Sequence, residues 1–564
     1  MPGTFGEKEQ FIFMAGQKEN QVFVQASILA AASMLVRIIG LLYRAPLTAI
    51  IGDEGNGYYG TAYNIYTIIL MVSSYSVPSA ISKLMAQKLA VGAYRDARTI
   101  FRCALVYGVT VGIAGSALLF FGADFLVPGV SAGVLRVFAP TVFLFGLLGS
   151  FRGYFQAQGS MVQTSISQIL EQIANALVSI GAAWALMRLA AGQGATKEAQ
   201  YGAMGSALGT GSGVVIALLF MFFCYMRAKK EEDRLVAADR SRGGISFGTA
   251  MKQTILVITP FMLSGFILNL TTSLNQTIYY RTQIGRQGMD EVLASTLYGI
   301  FSNKAVVISN IPISIATAVA AAIIPGISAS FARGEREETA ERSMHAKKLT
   351  AIIAIPSAVG LCVLAKPITW IMFPQMGSLD QASSMLAFLS VTVFFYSVST
   401  ITNACLQSIG KMHMPLVSAG IALTVQTIVL YALLGLTGLG IYSLVVVSIL
   451  YSALIFLVNE HFLHLYLGAK APVWSMYGMP LVCALGMGVC GRLAYALVFA
   501  VFGGADSARP YFANMAALIA AIAVSVLIYF VLLLKSGTFT ASELESLPRG
   551  RSIVRLAKRM HLIR

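Results

Sequence analysis

Long apolar runs separated by short polar segments dominate the chain. A transmembrane helix needs roughly 20 predominantly apolar residues, and runs of that length predict about fourteen spans. The predicted spans lie near residues 24–46, 59–82, 101–122, 134–153, 163–187, 201–226, 252–279, 295–327, 349–373, 383–405, 414–436, 439–460, 475–501 and 511–534. The pattern therefore predicts an all-α polytopic membrane protein.

Two short motifs occur twice, six predicted spans apart. The pattern Y-G-x-x-x-N is found at residues 59–64 and 298–303, and Q-x-x-G is found at 156–159 and 407–410. This order predicts two six-helix lobes of the same orientation, related by a pseudo-twofold axis along the membrane normal, with two helices left over at the C-terminal end. Such paired lobes are typical of transporters, whose substrate sites lie between the lobes near mid-membrane.

The predicted organisation has five parts. They are an N-terminal lobe (1–226), a cytoplasmic linker (227–251), a C-terminal lobe (252–466), an appendix of two helices (467–535) and a basic cytoplasmic tail (536–564). The linker is rich in Lys and Arg and is expected to contain a short amphipathic helix on the cytoplasmic surface.

Charge supports this topology. If the N-terminus is cytoplasmic, 29 of the 40 Lys and Arg residues fall on the inside, seven outside and four within spans. This asymmetry follows the positive-inside rule and places both termini in the cytoplasm. The chain is 57% hydrophobic and only 11% charged, which excludes a soluble globular protein. Its net charge of +16 suits anionic membrane lipids, and nucleic acid is not an expected partner.

Two arginines interrupt the first span. Arg37 and Arg44 are seven residues apart, so on a helix they project about 20° apart, roughly 10 Å from each other along the axis. An arginine near the bilayer centre costs at least about 2.5–3.5 kcal/mol. Arg37 is therefore expected to face a water-filled cavity, with a structural ion pair as the alternative. Arg44 lies near the outer end, where it either joins that cavity or snorkels to the headgroups.

Three further charges lie within predicted spans. Lys304 in span 8 has a depth similar to that of Arg37 but belongs to the other lobe, so the two cations suggest a divided anion site; pairing of Lys304 with a carboxylate is the alternative. Glu171 in span 5 is either a gating or coupling residue or a structural glutamate beside Gln168. Arg492 in span 13 is either structural and lipid-facing or part of a groove for a substrate tail.

Polar residues accompany these charges. Asn64, Asn275 and Asn303 lie in spans 2, 7 and 8, where their amides can bind a sugar or another helix. Gln156 and Gln407, from the repeated Q-x-x-G motif, are candidate gating residues. The sequence contains no G-x-x-x-x-G-K-[ST] phosphate loop, so ATP hydrolysis is not expected, and neither catalytic residues, a cofactor nor a metal is predicted.

Several motifs together carry a family resemblance. They are R-I-I-G-L-L-Y-R in span 1, the I-G-D-E-G-N-G-Y-Y-G turn, S-V-P-S-A-I-S-K at the end of span 2, Y-F-Q-A-Q-G after span 4 and S-Q-I-L-E-Q in span 5. Over essentially its whole length the chain resembles the polysaccharide-transport branch of the multidrug/oligosaccharidyl-lipid/polysaccharide flippase superfamily. It is similar there to the stage V sporulation protein B group and to the lipid II flippases.

The resemblance implies a flippase of the bacterial cytoplasmic membrane. Its substrate would be an undecaprenyl-pyrophosphate-linked saccharide, such as lipid II or a related cell-envelope precursor, moved from the inner to the outer leaflet by alternating access. The resemblance implies that Arg37 binds the pyrophosphate and that spans 13 and 14 form a lipid-tail groove. The chain departs from the family pattern at three points. Arg44 lies one residue further along the chain than the second arginine of span 1 in the family. Lys304 lies approximately where the family has an arginine in span 8, and span 2 has no counterpart of the family's arginine.

The same resemblance implies a part in peptidoglycan or polysaccharide synthesis, cell shape or sporulation, with energy from the membrane potential or from a coupling ion, H⁺ or Na⁺. Two rival functions remain. A multidrug antiporter of the same superfamily would share the fold, although it usually needs cavity carboxylates for cationic drugs. A membrane glycan polymerase or ligase would need an outer catalytic loop, and the predicted outer loops are short.

Overall fold

All regular structure in the described part of the chain is helical. The computed structural model describes residues 28–29, 32–71, 73, 77–239, 244–468, 472–503 and 509–537. The helices are α1 (Ala32–Leu42), α2 (Arg44–Leu70), α3 (Val77–Ala90), α4 (Tyr94–Phe121), α5 (Ala123–Leu126), α6 (Gly129–Ala157), α7 (Val162–Leu189), α8 (Ala195–Ala238), α9 (Phe247–Gln283), α10 (Glu291–Gly299), α11 (Val306–Ala332), α12 (Arg336–Val363), α13 (Ala365–Met372), α14 (Leu379–Ser408), α15 (Met414–Leu436), α16 (Tyr442–Leu467), α17 (Met479–Val501) and α18 (Pro510–Lys535). The predicted all-α class is confirmed.

The described helices lie where the sequence predicts spans, but fewer of them qualify as membrane spans than the fourteen predicted. Eleven of them are long and apolar enough to cross a membrane, and the bent pair α1 and α2 makes a twelfth if it is counted as one span. Predicted spans 1 and 2 correspond to α1 and α2. Predicted span 7 corresponds to α9, which has 37 residues and is not one of the eleven helices counted above. The predicted C-terminal tail lies outside the described residues from 538 onwards, as does the N-terminus up to residue 27.

The predicted turn between spans 1 and 2 coincides with a break in the helix. The chain bends by 45° between α1 and α2, and within α2 two helical segments, before and after Gly52, meet at a kink. Only Gly52 leaves helical geometry there, with a φ of 70°, a conformation that glycine adopts without a steric penalty. The predicted second span is in turn divided, since α2 ends at Leu70 and α3 begins at Val77.

The predicted linker is also different. α8 continues as one helix of 44 residues to Ala238, about 66 Å at 1.5 Å per residue, so it extends well beyond a bilayer core of about 30 Å. Its end is tied to the start of α4, because Arg98 donates to Glu232 at 2.7 Å and the Arg95 amide donates to Asp239 at 2.8 Å. The separate amphipathic helix expected in this segment is therefore replaced by an extension of α8.

Small residues allow α7 and α8 to pack closely. A Cβ atom at Gly205 would lie 2.5 Å from the carbonyl carbon of Ala182, and one at Gly209 would lie 2.0 Å from the Ser179 hydroxyl. Such contacts between small residues are the usual way in which membrane helices associate. This packing fixes the position of α7, which carries Glu171.

The described helices pack as two compact units. The first comprises Met1–Tyr280 and Met289–Gly299, and the second comprises Arg281–Gly288 and Ile300–Arg564. α9 and α10, which the sequence assigns to the C-terminal lobe, therefore pack mostly with the first unit. The predicted duplication was inferred from the repeated motifs, and the two packing units do not test it. The predicted boundaries of the two lobes therefore stay a prediction.

A polar cluster of similar composition occurs in each unit. In the first, Glu232 accepts hydrogen bonds from Arg98 at 2.7 Å and from the Tyr154 hydroxyl at 3.1 Å. In the second, Lys347 donates to Glu460 at 2.8 Å, and the buried Cys405 lies within electrostatic reach of both. Tyr154 and Cys405 each stand two residues before the glutamine of the repeated Q-x-x-G motif, so the clusters support the predicted duplication.

Candidate functional site

α7 braces the helix that carries the two arginines. Along one face of α7, Gln168 contacts the Ser33 hydroxyl at 3.5 Å, and Asn175 donates to the Tyr43 hydroxyl at 3.4 Å. Between them, Gly40 leaves room for the amide of Gln172, which would be 3.2 Å from a Cβ atom at that position. These three amides, which flank Glu171 in the sequence, therefore fix the position of α1 and the direction in which its side chains project.

The two arginines have different surroundings. Arg37 is exposed, and it has no hydrogen bond or ion pair with any residue that the structure describes. Arg44 is half-buried and lies within electrostatic reach of Tyr59 and Tyr63. A structural ion pair for Arg37 is therefore not found within the described residues, and an exposed guanidinium in a spanning helix needs either water or an anion.

A cluster of aromatic residues lies beside Arg44. The rings of Tyr59 and Tyr63 are stacked with centroids 5.6 Å apart, and Tyr66 stacks on Phe138 at 4.7 Å. These tyrosines recur at positions 59, 63 and 66, a helical spacing that places them along one face of α2. Sequence reasoning overlooked them, although this spacing was visible. The cluster combines flat apolar faces with hydroxyl groups next to a cation.

Glu171 has an ion-pair partner. Its carboxylate accepts a hydrogen bond of 2.7 Å from Arg152, which also donates to the Ser167 hydroxyl at 2.9 Å. The side chain of Arg152 is 7% exposed and that of Glu171 is 24% exposed. Arg152 lies inside α6, and the position of the pair could not be read from the sequence of either helix alone.

Asn64 joins a polar network inside the first unit. Its amide donates to Gln276 at 2.8 Å and to the Tyr298 hydroxyl at 3.0 Å. The backbones are also close, since a Cβ atom at Gly299 would lie 2.5 Å from the Cα atom of Gly57. The two copies of the Y-G-x-x-x-N motif therefore contact each other here, and Asn64 holds helices together in this structure.

Lys304 is buried within the second unit. It lies in a π-helical segment, Ile300–Ala305, and its side chain is among the largest fully buried ones, with 1% of the residue exposed. Its ammonium group donates to the Ser378 hydroxyl at 2.8 Å and lies 5.8 Å from the centroid of the Phe373 ring. Lys304 is thus covered here rather than open to a cavity, and a site shared with Arg37 stays a prediction.

The repeated Q-x-x-G motif has a structural explanation. Gly159 and Gly410 both have a φ of 78°, and each amide donates to the carbonyl of the motif's glutamine, at 3.0 and 3.1 Å. The residue after each glycine donates to the carbonyl one position before that glutamine, which completes a Schellman cap. The motif therefore ends α6 and α14, while a gating role for Gln156 and Gln407 is untested.

The remaining predicted residues are more accessible. Asn275 and Asn303 are half-buried and Arg492 is exposed. Within the described residues, no group of three His, Cys, Asp or Glu side chains lies close enough together to hold a metal ion.

Comparison with family models gives two matches. The polysaccharide biosynthesis protein family matches residues 24–331, and the MatE family matches residues 303–433. Among curated relatives, stage V sporulation protein B of Bacillus subtilis (strain 168) is 25% identical over 542 residues, covering 95% of this chain and 99% of that protein. The lipid II flippase MurJ of the same organism is 22% identical over 422 residues, covering 71% and 75%.

Solved structures have the same fold. The lipid II flippase MurJ in an inward closed conformation matches with a TM-score of 0.61 and 14% identity, over 89% of this chain and 97% of that one. An inward-facing multidrug resistance MATE family transporter of the MOP superfamily matches with a TM-score of 0.59 and 16% identity, over 79% and 100%. Since the first family model covers more than half of the chain, the protein belongs to the polysaccharide biosynthesis protein family, in the flippase branch of the MOP superfamily.

Proposed function

We propose that this flippase moves an undecaprenyl-pyrophosphate-linked saccharide from the inner to the outer leaflet of the bacterial cytoplasmic membrane by alternating access. The observation that carries the proposal is Arg37, an exposed guanidinium within an apolar helix and without a partner among the described residues. Arg44 follows two turns later beside the aromatic cluster. A pyrophosphate is a ligand that two such cations would bind by charge-assisted hydrogen bonds.

The remaining parts of the substrate suit the same helix. The half-buried Tyr63 lies next to Arg44, and its ring and hydroxyl group are suited to a sugar, while the buried Tyr59 stacks behind it. The polyprenyl chain can stay in the lipid while the headgroup crosses, so no cavity has to enclose it. The names of the relatives support a lipid-linked cell-envelope precursor, and that of stage V sporulation protein B leaves a sporulation-specific glycan open as the substrate.

A multidrug antiporter is the second candidate, because the MatE family model matches part of the chain. Export of a cationic drug usually requires an available carboxylate in the transport cavity. Glu171, the carboxylate predicted within the spans of the first lobe, is already bonded to Arg152 at 2.7 Å. The charge that stays exposed is cationic, and this favours an anionic substrate.

The experiment is a rescue assay in bacteria depleted of their own lipid II flippase, scored by growth and by lipid II exposed on the outer leaflet. Wild type is compared with Arg37→Ala, Arg37→Lys and Lys304→Met at equal expression. We expect wild type to rescue, Arg37→Ala to fail, and Arg37→Lys to restore part of the activity because the charge remains. Lys304→Met keeps the length and apolar stem of the buried side chain, so its failure at equal stability would support a role in transport.

Arg188→Ala is the matched control. Arg188 lies near the end of α7 with its guanidinium 3.9 Å from the centroid of the Trp184 ring, so this variant also removes an arginine from a spanning helix, and we expect it to rescue. Rescue by Arg37→Ala as well would remove Arg37 from the substrate site. If well-expressed wild type exposes no lipid II, then lipid II is the wrong substrate and another lipid-linked glycan must be tested.

A further inference from the structure

A groove lies in the second unit, away from the arginine helix. Its volume is about 360 Å³, and it is lined by residues of α12, α13, α14 and α17, among them Val363, Lys366, Ser383, Ser384 and Arg492. This volume is within the range of small-ligand sites, roughly 300–1,000 Å³. The sequence suggests Arg492 either as a structural residue or as part of a groove for a substrate tail; in the structure it lines this groove together with a second cation and two hydroxyl groups.

Aromatic residues mark the depth of this groove. Trp370, on the same short helix as Lys366, packs edge-on against Phe499 of α17 with ring centroids 6.3 Å apart, and the Tyr511 hydroxyl donates to the carbonyl of Ile371 at 3.1 Å. Trp and Tyr side chains gather at the level of the lipid headgroups. The groove therefore lies at headgroup depth, on the side that the charge pattern predicts to be the outer one.

The groove has one uncompensated positive charge. Lys366 forms an ion pair with Asp380 at 2.5 Å, so its charge is balanced. The Arg492 guanidinium lies 5.6 Å from the centroid of the Tyr495 ring, and it has no ion pair with a carboxylate of any described residue. A ligand with a single negative charge would complete this balance.

The hydrogen bonds of Ser383 and Ser384 indicate which kind of lipid headgroup the groove can bind. The Ser383 hydroxyl donates to the Asp380 carbonyl at 3.1 Å, and the Ser384 hydroxyl can donate to the Gln381 carbonyl at 2.9 Å. The Ser384 hydroxyl also bonds to the Tyr442 hydroxyl at 2.7 Å. Because the serine protons are used within the helix, the Ser383 oxygen remains an acceptor, and the Ser384 oxygen keeps one lone pair beside the bond from Tyr442. They suit a headgroup that carries its own hydroxyl donors, whereas a headgroup ammonium would be repelled by Arg492.

We infer that this groove binds the headgroup of phosphatidylglycerol, with the phosphodiester on Arg492, the glycerol hydroxyls directed to Ser383 and Ser384, and an acyl chain along the apolar wall at Val363. A polyprenyl pyrophosphate carries at least two negative charges and would leave one of them unbalanced here. The inference does not depend on which substrate the protein transports.

The test is native mass spectrometry of the purified full-length protein with phosphatidylglycerol or phosphatidylcholine of identical acyl chains. We expect phosphatidylglycerol adducts to predominate and to fall about fivefold in Arg492→Gln, as befits the loss of one interfacial cation. Arg188→Gln, which removes an arginine stacked on Trp184 in the first unit, is the control and should bind as wild type. Equal thermal stability of the variants shows that the fold is intact.

Three results would overturn the inference. Equal loss in Arg492→Gln and Arg188→Gln would mean that the lipid binds the general surface of the protein. Equal occupancy by phosphatidylcholine would mean that the headgroup charge is not recognised. A polyprenyl pyrophosphate that displaces phosphatidylglycerol from wild type, but does so less from Arg492→Gln, would assign the groove to that lipid.

Discussion

The ion pair between Arg152 and Glu171 changes the interpretation of both residues. A buried charge is tolerated when it is paired and hydrogen-bonded, and Arg152 satisfies this with Glu171 at 2.7 Å and Ser167 at 2.9 Å. Removing one partner of a buried pair is strongly destabilising, whereas replacing both by neutral groups often is not. This asymmetry separates a structural role from a role in coupling.

We predict that Arg152→Gln lowers the stability by up to about 3 kcal/mol, the lower end of the range for buried pairs, because the 24% exposed Glu171 side chain retains some solvent. The double variant Arg152→Gln/Glu171→Gln should recover most of that stability. Thermal unfolding of the purified protein in detergent measures both effects.

The double variant also tests the gating or coupling role of Glu171. We expect it to be stable but inactive in the rescue assay, because a neutral pair cannot exchange a proton or release its arginine partner during transport. If the stable double variant transports as wild type does, the pair is structural and the coupling residue lies elsewhere.

At the scale of the helix, close approach of backbones decides which glycines matter. A Cβ atom at Gly205 in α8 would lie 2.5 Å from backbone atoms of Ala182 and Ala183 in α7, whereas one at Gly181 in α7 would meet nothing within 4 Å. Backbone atoms cannot move aside as the end of a flexible side chain can. The two positions thus look alike in the sequence and differ in the fold.

We predict that Gly205→Leu destabilises the protein by at least about 1–3 kcal/mol, as expected for overpacking, and lowers its yield. Gly181→Leu is the control and should leave stability unchanged or slightly higher, since Leu has the better helix propensity by up to about 1 kcal/mol. Unfolding temperatures of the two purified variants provide the comparison. Equal temperatures would mean that α7 and α8 do not pack as closely as described.

At the scale of the whole molecule, the charge pattern predicts the membrane orientation. Gln193 lies exposed between α7 and α8, on the predicted outer side, and Lys230 lies exposed on the extension of α8, on the predicted inner side. The positive-inside rule places the basic extension of α8 in the cytoplasm. The two positions are close in sequence and should be on opposite sides of the membrane.

We predict that Gln193→Cys, in a variant whose six native cysteines are replaced, reacts with a membrane-impermeant maleimide in intact cells. Lys230→Cys should react only after the cells are permeabilised. The cysteine-free protein, at equal expression, is the blank. The reverse labelling would invert the topology and place the N-terminus outside.

The sequence by itself determined the class, the approximate positions of the long helical segments and the repeat, because apolar length and charge asymmetry act locally along the chain. It could not determine partners between helices. The ion pair of Arg152 with Glu171 and the burial of Lys304 against Ser378 depend on which helix faces which. A spanning helix is apolar on nearly every face, so the periodicity of its sequence gives little indication of which helices it contacts. Only the tertiary packing decided which polar side chains hold the helices together and which, like Arg37, stay exposed.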